Sequence, residues 1–185
     1  MGFMLRAWLY DKNSNHLRSL ESNEILSCAP HGASEPQSET NGFVRTRSQC
    51  RAGELLWIDV TNPQDADYQL LVSRFGLHET VVEDLMNYEG RPKLHDYGDY
   101  LYIIIHALEI EGSGRDMKIY LHEIDCLLGG DYVVTLHETP LKPFEDLHQR
   151  WERRPALMEG GATYLLYEIM DEVLDEYFPA LETID

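Results

Sequence analysis

Residues 55–60 read Leu-Leu-Trp-Ile-Asp-Val, and Thr61-Asn62-Pro63 follows them directly. A short apolar run bounded by turn residues is typical of a strand that is buried on both faces. Asn is a favoured helix N-cap and Pro is favoured at the first helical position, so a helix is predicted to begin at Asn62 and Pro63. A buried strand that leads directly into a helix indicates an α/β domain.

Strand and helix patterns continue on both sides of this stretch. The first helix is predicted to end at Gly76, because glycine suits the left-handed C-cap position. Further helices are predicted over Glu79–Asn87 and Phe144–Arg153. The other predicted strands are Leu5–Tyr10, Tyr100–Leu108, Ile119–Leu128 and Tyr132–Leu136, with a hairpin turn at Gly129-Gly130-Asp131. Because strands and helices interleave without strict alternation, the sequence predicts an α/β/α sandwich around a central mixed β-sheet.

The last segment predicts a long acidic helix. From Glu159 to Asp185 the apolar residues recur at spacings of three and four, the segment has no Lys or Arg, and the pattern reaches Asp185 without a C-cap. We therefore expect an α/β domain over residues 1–158 and the start of a stalk helix over residues 159–185. Residues 28–50 are expected to be a polar, flexible loop, since they offer little apolar surface to offset the entropy lost on ordering.

The charge of the chain excludes some partners. It has 33 Asp and Glu against 15 Lys and Arg, a formal net charge of -18. Such a chain would repel nucleic acid phosphates, so no nucleic acid partner is predicted. Three cysteines without a CxxC pair support neither a disulfide framework nor a zinc ribbon. The sequence contains no signal peptide and no apolar run of the roughly 20 residues that span a bilayer.

Two pairs of carboxylates are candidate ligands for a cation. Glu83 and Asp84 are adjacent on a predicted short helix, so one can face a partner while the other braces it. Asp171 and Asp175 are four residues apart on the last predicted helix and therefore share a face. Hard divalent cations such as Mg2+ prefer oxygen ligands. Solvated helix faces carry the same residue types, so both interpretations stay open.

The histidines and the enzyme motifs give weaker signals. His106 and His122 lie on neighbouring predicted strands, where they could face each other and bind zinc with a nearby acid. No HExxH or paired-ligand spacing supports this, so structural histidines are the favoured interpretation. The sequence also lacks GxSxG, a P-loop and GxGxxG. The chain is therefore predicted not to be an enzyme.

Several short segments follow one another in a fixed order across Leu55–Asp185. The segments are Trp57-Ile58-Asp59-Val60-Thr61, Phe75-Gly76-Leu77-His78, Val82-Glu83-Asp84-Leu85, Arg91-Pro92-Lys93, Tyr100-Leu101-Tyr102-Ile103, and Tyr164-Leu165-Leu166-Tyr167 through Asp171, Asp175 and Tyr177-Phe178. Each segment is a weak signal alone, but in this order and spacing they resemble the CorA family of magnesium and cobalt transporters. The first fifty residues contribute only an opening strand.

The resemblance implies a cytoplasmic α/β/α domain that leads into a stalk helix, with two membrane helices and a Gly-Met-Asn pore signature beyond Asp185. It implies a homopentamer in the cell membrane, which divalent cations hold closed by binding between neighbouring cytoplasmic domains. By position, Asp84 would be the between-subunit carboxylate of one site, and Glu83 and Asp171 would belong to a second, adjacent site. Mg2+ would be both the regulatory and the transported ion, with Co2+ or Zn2+ as alternatives.

Two other functions fit the same sequence. One is a zinc transporter of the related ZntB branch, which would share the fold. The other is a stand-alone soluble regulatory module that kept the fold and lost the channel. The second alternative predicts that the last helix is capped near Asp185.

Overall fold

One mixed β-sheet of seven strands organises the part of the chain that the structure describes. The structure is a computed structural model and describes residues 4–21, 24–25, 53–87, 90–112 and 116–184. The strands are β1 (Met4–Asp11), β2 (His16–Ser19), β3 (Glu54–Thr61), β4 (Lys93–Asp96), β5 (Leu101–Glu111), β6 (Lys118–Leu128) and β7 (Tyr132–His137). Their order is β2-β1-β3-β7-β6-β5-β4, with β3 and β7 parallel and the other neighbours antiparallel. The predicted mixed sheet is confirmed.

Helices cover both faces of the sheet. They are α1 (Asp65–Phe75), α2 (Glu79–Leu85), α3 (Lys142–Arg153), α4 (Gly161–Asp175) and α5 (Tyr177–Ile184), with a 3-10 segment over Pro155–Gly160. Leu71, Phe75 and Leu85 of α1 and α2 belong to one buried cluster with the sheet. Phe144 and Ile169 of α3 and α4 belong to a second cluster on the other face. The predicted α/β/α sandwich is therefore confirmed.

Alternation along the strands decides which polar side chains share a face. On β6, Leu127 packs with α1 and α2, whereas Ile124 and Cys126 pack with α3 and α4. Glu123 and Asp125 alternate with the second pair and so face α1 and α2. By the same alternation, Asp59 of β3 and His137 of β7 face α3 and α4. The sheet thus separates two polar centres.

The predicted strands that carry apolar runs correspond to β1, β3, β5, β6 and β7. The structure adds two strands that the sequence patterns do not predict, β2 and β4. Both have four residues, lie at the edges of the sheet and are largely exposed. Short, polar edge strands protect a sheet against pairing with other chains, and they carry little apolar periodicity by which to recognise them.

The start of α1 differs from the prediction. Asn62 has a left-handed φ of 55°, and Gln64 rather than Asn62 caps the helix. The amide of Gln64 donates to the Asp67 carboxylate over 2.8 Å, so Asp67 supplies the partner that fixes the helix start. The predicted end is confirmed, because Gly76 occupies the left-handed C-cap position with φ of 60°.

The C-terminal segment is helical, as predicted, but it contains a break. The first helix ends at Asp175 and the next begins at Tyr177. Pro179 explains the break, since it has no amide to donate and its ring would clash with the carbonyl of Asp175 in a continuous helix. Residues 28–50 lie outside the described residues. Among the described helices, none is both long and apolar enough to cross a membrane.

Candidate functional site

Glu83 and Asp84 project outward from α2. The buried side of this helix consists of Val81 and Leu85, which anchor it to the core below. Glu83 is exposed, and the side chain of Asp84 is 33% exposed. The apolar anchors therefore fix the helix so that both carboxylates can be reached from solvent, as a cation ligand requires.

Asp84 is paired with Lys93 of β4. The Nζ atom of Lys93 lies 2.5 Å from Asp84 Oδ2. Lys93 stands opposite Ile104 in the β4–β5 register, and its ammonium lies 5.4 Å from the centre of the Tyr102 ring. The segment Arg91-Pro92-Lys93 therefore brings a positive charge to the candidate metal ligand, which the sequence patterns alone do not predict.

Two buried acids, Glu123 and Asp125, lie on the same face of the sheet as Lys93. Asp125 Oδ1 accepts a hydrogen bond from the Tyr102 hydroxyl over 2.6 Å, and Glu123 Oε2 accepts one from the Gly90 amide over 2.6 Å. Asp125 Oδ2 and Glu123 Oε1 are buried without a hydrogen-bond partner among the described residues. Burial raises the pKa of Asp125 to about 7, and it raises that of Glu123 above its ordinary value.

Sequence reasoning misses this pair of acids. The available signal is their spacing of two within a strand that is otherwise largely apolar at its buried end. That spacing places both carboxylates on one face of a strand. Whether the face is buried depends on α1 and α2, which come from a distant part of the sequence.

Asp171 and Asp175 lie on the outer side of α4. Leu166, Ile169 and Val173 form its buried side, and both aspartates are exposed. The prediction that Asp171 and Asp175 share one face of a helix is therefore confirmed. Their side chains make no ion pair with the described residues.

The other acids of α4 and its C-terminal cap form ion pairs with basic residues of α3. The ion pairs are Glu168 and Glu172 with Arg150, and Glu176 with Lys142. The sequence suggests an unbalanced acidic row, because these basic partners lie outside the segment. After this pairing, Asp171 and Asp175 are the aspartates of α4 that are still open to a cation, a second chain or water.

The structure does not bring the two predicted pairs together. Glu83 and Asp84 are on α2, whereas Asp171 and Asp175 are on α4, across the sheet. Within the described ranges, no three His, Cys, Asp or Glu side chains are arranged so that they could hold a metal ion. A cation that uses both pairs would therefore need carboxylates from two copies of the chain.

His106 and His122 do not face each other, which agrees with the structural role that the sequence favours for them. In the β5–β6 register, His106 stands opposite Glu123 and His122 stands opposite Ala107, so the two rings lie on opposite faces of the sheet. His106 Nε2 lies 4.0 Å from Glu123 Oε2, and His122 Nε2 lies 2.7 Å from Glu109 Oε2. The two rings therefore cannot bind one zinc ion together.

A second buried polar centre surrounds Asp59 on the α3–α4 face. Asp59 Oδ1 accepts a hydrogen bond from Thr135 over 2.7 Å and lies 3.1 Å from His137 Nε2. Its Oδ2 lies 3.6 Å from His148 Nε2, and Arg6 approaches the other ring nitrogen of His148 at 3.0 Å. Burial opposes ionisation of Asp59, but the hydrogen bond and charge of His137 outweigh it and lower its pKa. Burial lowers the pKa of His148 to about 4.

Fold and surface together define a class of protein: an acidic α/β/α domain whose candidate cation ligands face outward from both helical layers. Residues 52–185 match the family described as CorA-like Mg2+ transporter protein. The chain belongs to this family.

Two relatives and one solved structure are similar to this chain. It is 34% identical over 131 residues to YfjQ of Bacillus subtilis (strain 168), named as a candidate metal ion transporter, covering 70% of this chain and 39% of YfjQ. It is 28% identical over 131 residues to the cobalt/magnesium transport protein CorA of Thermotoga maritima, covering 70% of this chain and 37% of that protein. The ZntB cytoplasmic domain of Vibrio parahaemolyticus has a similar fold, with a TM-score of 0.65, 16% identity, and coverage of 100% of this chain and 63% of that chain. The chain thus spans less than half the length of the two curated relatives.

Proposed function

We propose that this chain is the ion-sensing domain of a divalent-cation transporter, closed by Mg2+ bound between neighbouring copies. One observation carries the proposal beyond family membership. The candidate carboxylates lie on opposite outer layers of one domain, so a site that combines them needs a second chain. Asp84 would contribute to one site and Glu83 and Asp171 to an adjacent one, with Asp175 beside Asp171 on the same face of α4.

The mechanism follows from charge. Carboxylates that meet at an interface between two copies repel one another, and a divalent cation converts that repulsion into a bridge. Mg2+ binds one or two carboxylates and keeps several of its waters, so it does not need a cage of protein ligands. An ion that binds only the closed assembly stabilises it by about 2.7 kcal/mol per site at 100 times its dissociation constant. When Mg2+ falls, the sites empty and this stabilisation is lost.

The rest of the protein belongs to the same proposal. In it, residues 1–158 are the cytoplasmic domain, residues 159–185 begin the stalk, and membrane helices beyond Asp185 carry Mg2+ or Co2+ across the cell membrane in a homopentamer. The zinc alternative loses its only histidine support, because His106 and His122 face opposite ways. The soluble-module alternative predicts a capped helix near Asp185 and no transport.

The test uses the full-length protein in liposomes with a Mg2+-sensitive dye inside. Asp84→Asn should shift the Mg2+ concentration that closes the transporter upward, by about tenfold if one bridging carboxylate contributes about 1.4 kcal/mol. Asp171→Asn should act in the same direction. Glu152→Gln on α3 is the matched control, because Glu152 is exposed and outside the proposed sites.

Two results would contradict the proposal. Closure at the same Mg2+ concentration in wild type, Asp84→Asn and Asp171→Asn would remove these residues from the sensor. Liposomes that pass no divalent cation would remove the transporter function itself, and the soluble module would then be the better interpretation.

A further inference from the structure

Lys93 places a fixed positive charge beside the proposed metal ligand. Its Nζ contacts Asp84 Oδ2 at 2.5 Å, within the range of a strong charge-assisted hydrogen bond. The side chains of Lys93 and Asp84 are 25% and 33% exposed, so water and salt screen this pair less than a fully exposed one. A metal ion that approaches Asp84 therefore meets a carboxylate that already has a cation.

The strand pairing holds Lys93 in this position. Lys93 lies on β4 opposite Ile104, and Ile104 stands opposite Asp125 on the next strand. The ammonium faces the Tyr102 ring at 5.4 Å, and an aromatic face attracts a cation at that distance. The side chain of Lys93 is thus guided by the sheet below it as well as by Asp84.

The Lys93 ammonium also acts on the two buried acids, Glu123 and Asp125. Its charge favours the ionised forms of Glu123 and Asp125, both of which have an oxygen without a hydrogen-bond partner among the described residues. Three carboxylates therefore share the field of Lys93. If Lys93 were removed, this corner of the domain would attract a cation from solution more strongly.

We propose that Lys93 is a tethered competitor that sets how tightly Asp84 binds a divalent cation. This inference rests on the proposed function, in which Asp84 is a metal ligand. A lysine suits the role, because its ammonium sits on a flexible stem and can move aside for an ion of higher charge. An arginine at the same position would bind the carboxylate through two hydrogen bonds from its planar guanidinium, and a metal ion would displace it less readily.

The test measures Mn2+ binding to the 185-residue chain by NMR. Mn2+ favours carboxylate ligands, and it broadens the amide signals of nearby residues, so signals from α2 report binding at Asp84. Lys93→Met should lower the Mn2+ concentration for half-maximal broadening by about tenfold. Lys93→Arg should raise that concentration roughly threefold. Arg91→Met is the matched control, since it removes the same charge from the same segment and should have less than about a twofold effect.

The outcomes separate the two proposals. If Lys93→Met and Arg91→Met shift the midpoint equally, or neither shifts it, while broadening still depends on Asp84, then the competition is overturned and Asp84 stands as a ligand. If Asp84→Asn leaves the broadening of α2 unchanged, Asp84 does not bind Mn2+ in the isolated chain and the competition is overturned, whereas the proposed sites between copies are decided by the liposome experiment. Should Lys93→Met not fold, Lys93→Arg decides, because competition requires weaker Mn2+ binding and a midpoint equal to wild type would contradict it.

Discussion

Asp59 and Asp125 are both fully buried carboxylates, and they lie on opposite faces of the same sheet. Asp59 Oδ1 accepts a hydrogen bond from Thr135 and lies 3.1 Å from His137 Nε2, and its Oδ2 lies 3.6 Å from His148 Nε2. Asp125 has Tyr102 at one oxygen and no partner among the described residues at the other. The pKa of Asp59 is lowered, whereas burial raises that of Asp125 to about 7.

The comparison teaches that burial alone does not decide the charge of an acid. Desolvation raises the pKa in both cases. Only at Asp59 do neighbouring groups reverse it. Asp59 is therefore suited to hold β3, β7 and α3 together, while Asp125 is kept near its point of ionisation beneath the proposed cation surface. The neighbours of Asp59 favour its charged form, whereas the proton that Asp125 holds on folding makes stability fall as pH rises.

The largest effect is expected from Asp59→Asn. Asparagine removes the buried charge beside which Thr135, His137 and His148 lie, and the loss of one member of such a buried group costs about 3–5 kcal/mol. The free energy of unfolding, measured with urea at pH 7, should fall by that amount. Asp171→Asn is the control and should change it by less than about 0.5 kcal/mol, since Asp171 is exposed. A cost for Asp59→Asn as small as that of the control would mean that Asp59 is not a structural anchor.

Asp125→Asn should raise the free energy of unfolding at alkaline pH, whereas Asp59→Asn lowers it. The pKa of Asp125 rises from 3.8 to about 7 on folding, so the folded protein holds a proton that the unfolded chain releases. Stability therefore falls as pH rises from about 4 to about 7, by up to about 4 kcal/mol at about 1.4 kcal/mol per pKa unit. Asparagine keeps the acceptor for Tyr102 and cannot ionise. Urea unfolding at pH 8 should show the variant to be more stable than wild type. If the difference in unfolding free energy between the variant and wild type were the same at pH 5 and pH 8, this prediction would be wrong.

Sequence patterns find these two centres unequally. Residues 55–60 predict the buried strand that carries Asp59, and Glu83 and Asp84 are correctly placed on a short helix. The partners of Asp59 come from His137 and His148, which are 78 and 89 residues further along the chain. No local pattern identifies them. The charge state of an acid depends on such distant neighbours, whereas helix and strand periodicity depends on adjacent residues.

The same limit applies to the candidate metal surface. The spacing of Asp171 and Asp175 predicts their shared helix face, but only the packing of α3 shows that Arg150 and Lys142 form ion pairs with the other acids nearby. Lys93 is nine residues from Asp84 and reaches it across a turn and the start of β4. A spacing of nine residues through a loop does not predict contact. The candidate carboxylates could therefore be predicted from sequence, and the basic side chains that contact their neighbours or themselves could not.

The smallest of the three effects is expected from His148→Gln. This variant compares the pH dependence of stability that His148 causes on one face of the sheet with the one that Asp125 causes on the other. Burial lowers the pKa of His148 from 6.5 to about 4, so the unfolded chain binds a proton that the folded protein excludes. The stabilisation from this group is fully present above about pH 6.5 and is lost as pH falls toward 4, by up to about 3 kcal/mol.

The pH dependence of stability that His148 causes is opposite to the one that Asp125 causes. In wild type the two should largely cancel between pH 4 and pH 6.5, and His148→Gln should leave the Asp125 slope exposed, with stability falling as pH rises. In the double variant with Asp125→Asn both slopes should disappear. The slope is the informative quantity, because glutamine also loses packing against Trp8 and Trp57 and so lowers stability at every pH. If His148→Gln lowers stability equally from pH 4 to pH 7, His148 does not exclude a proton on folding, and the opposition between the two faces is wrong.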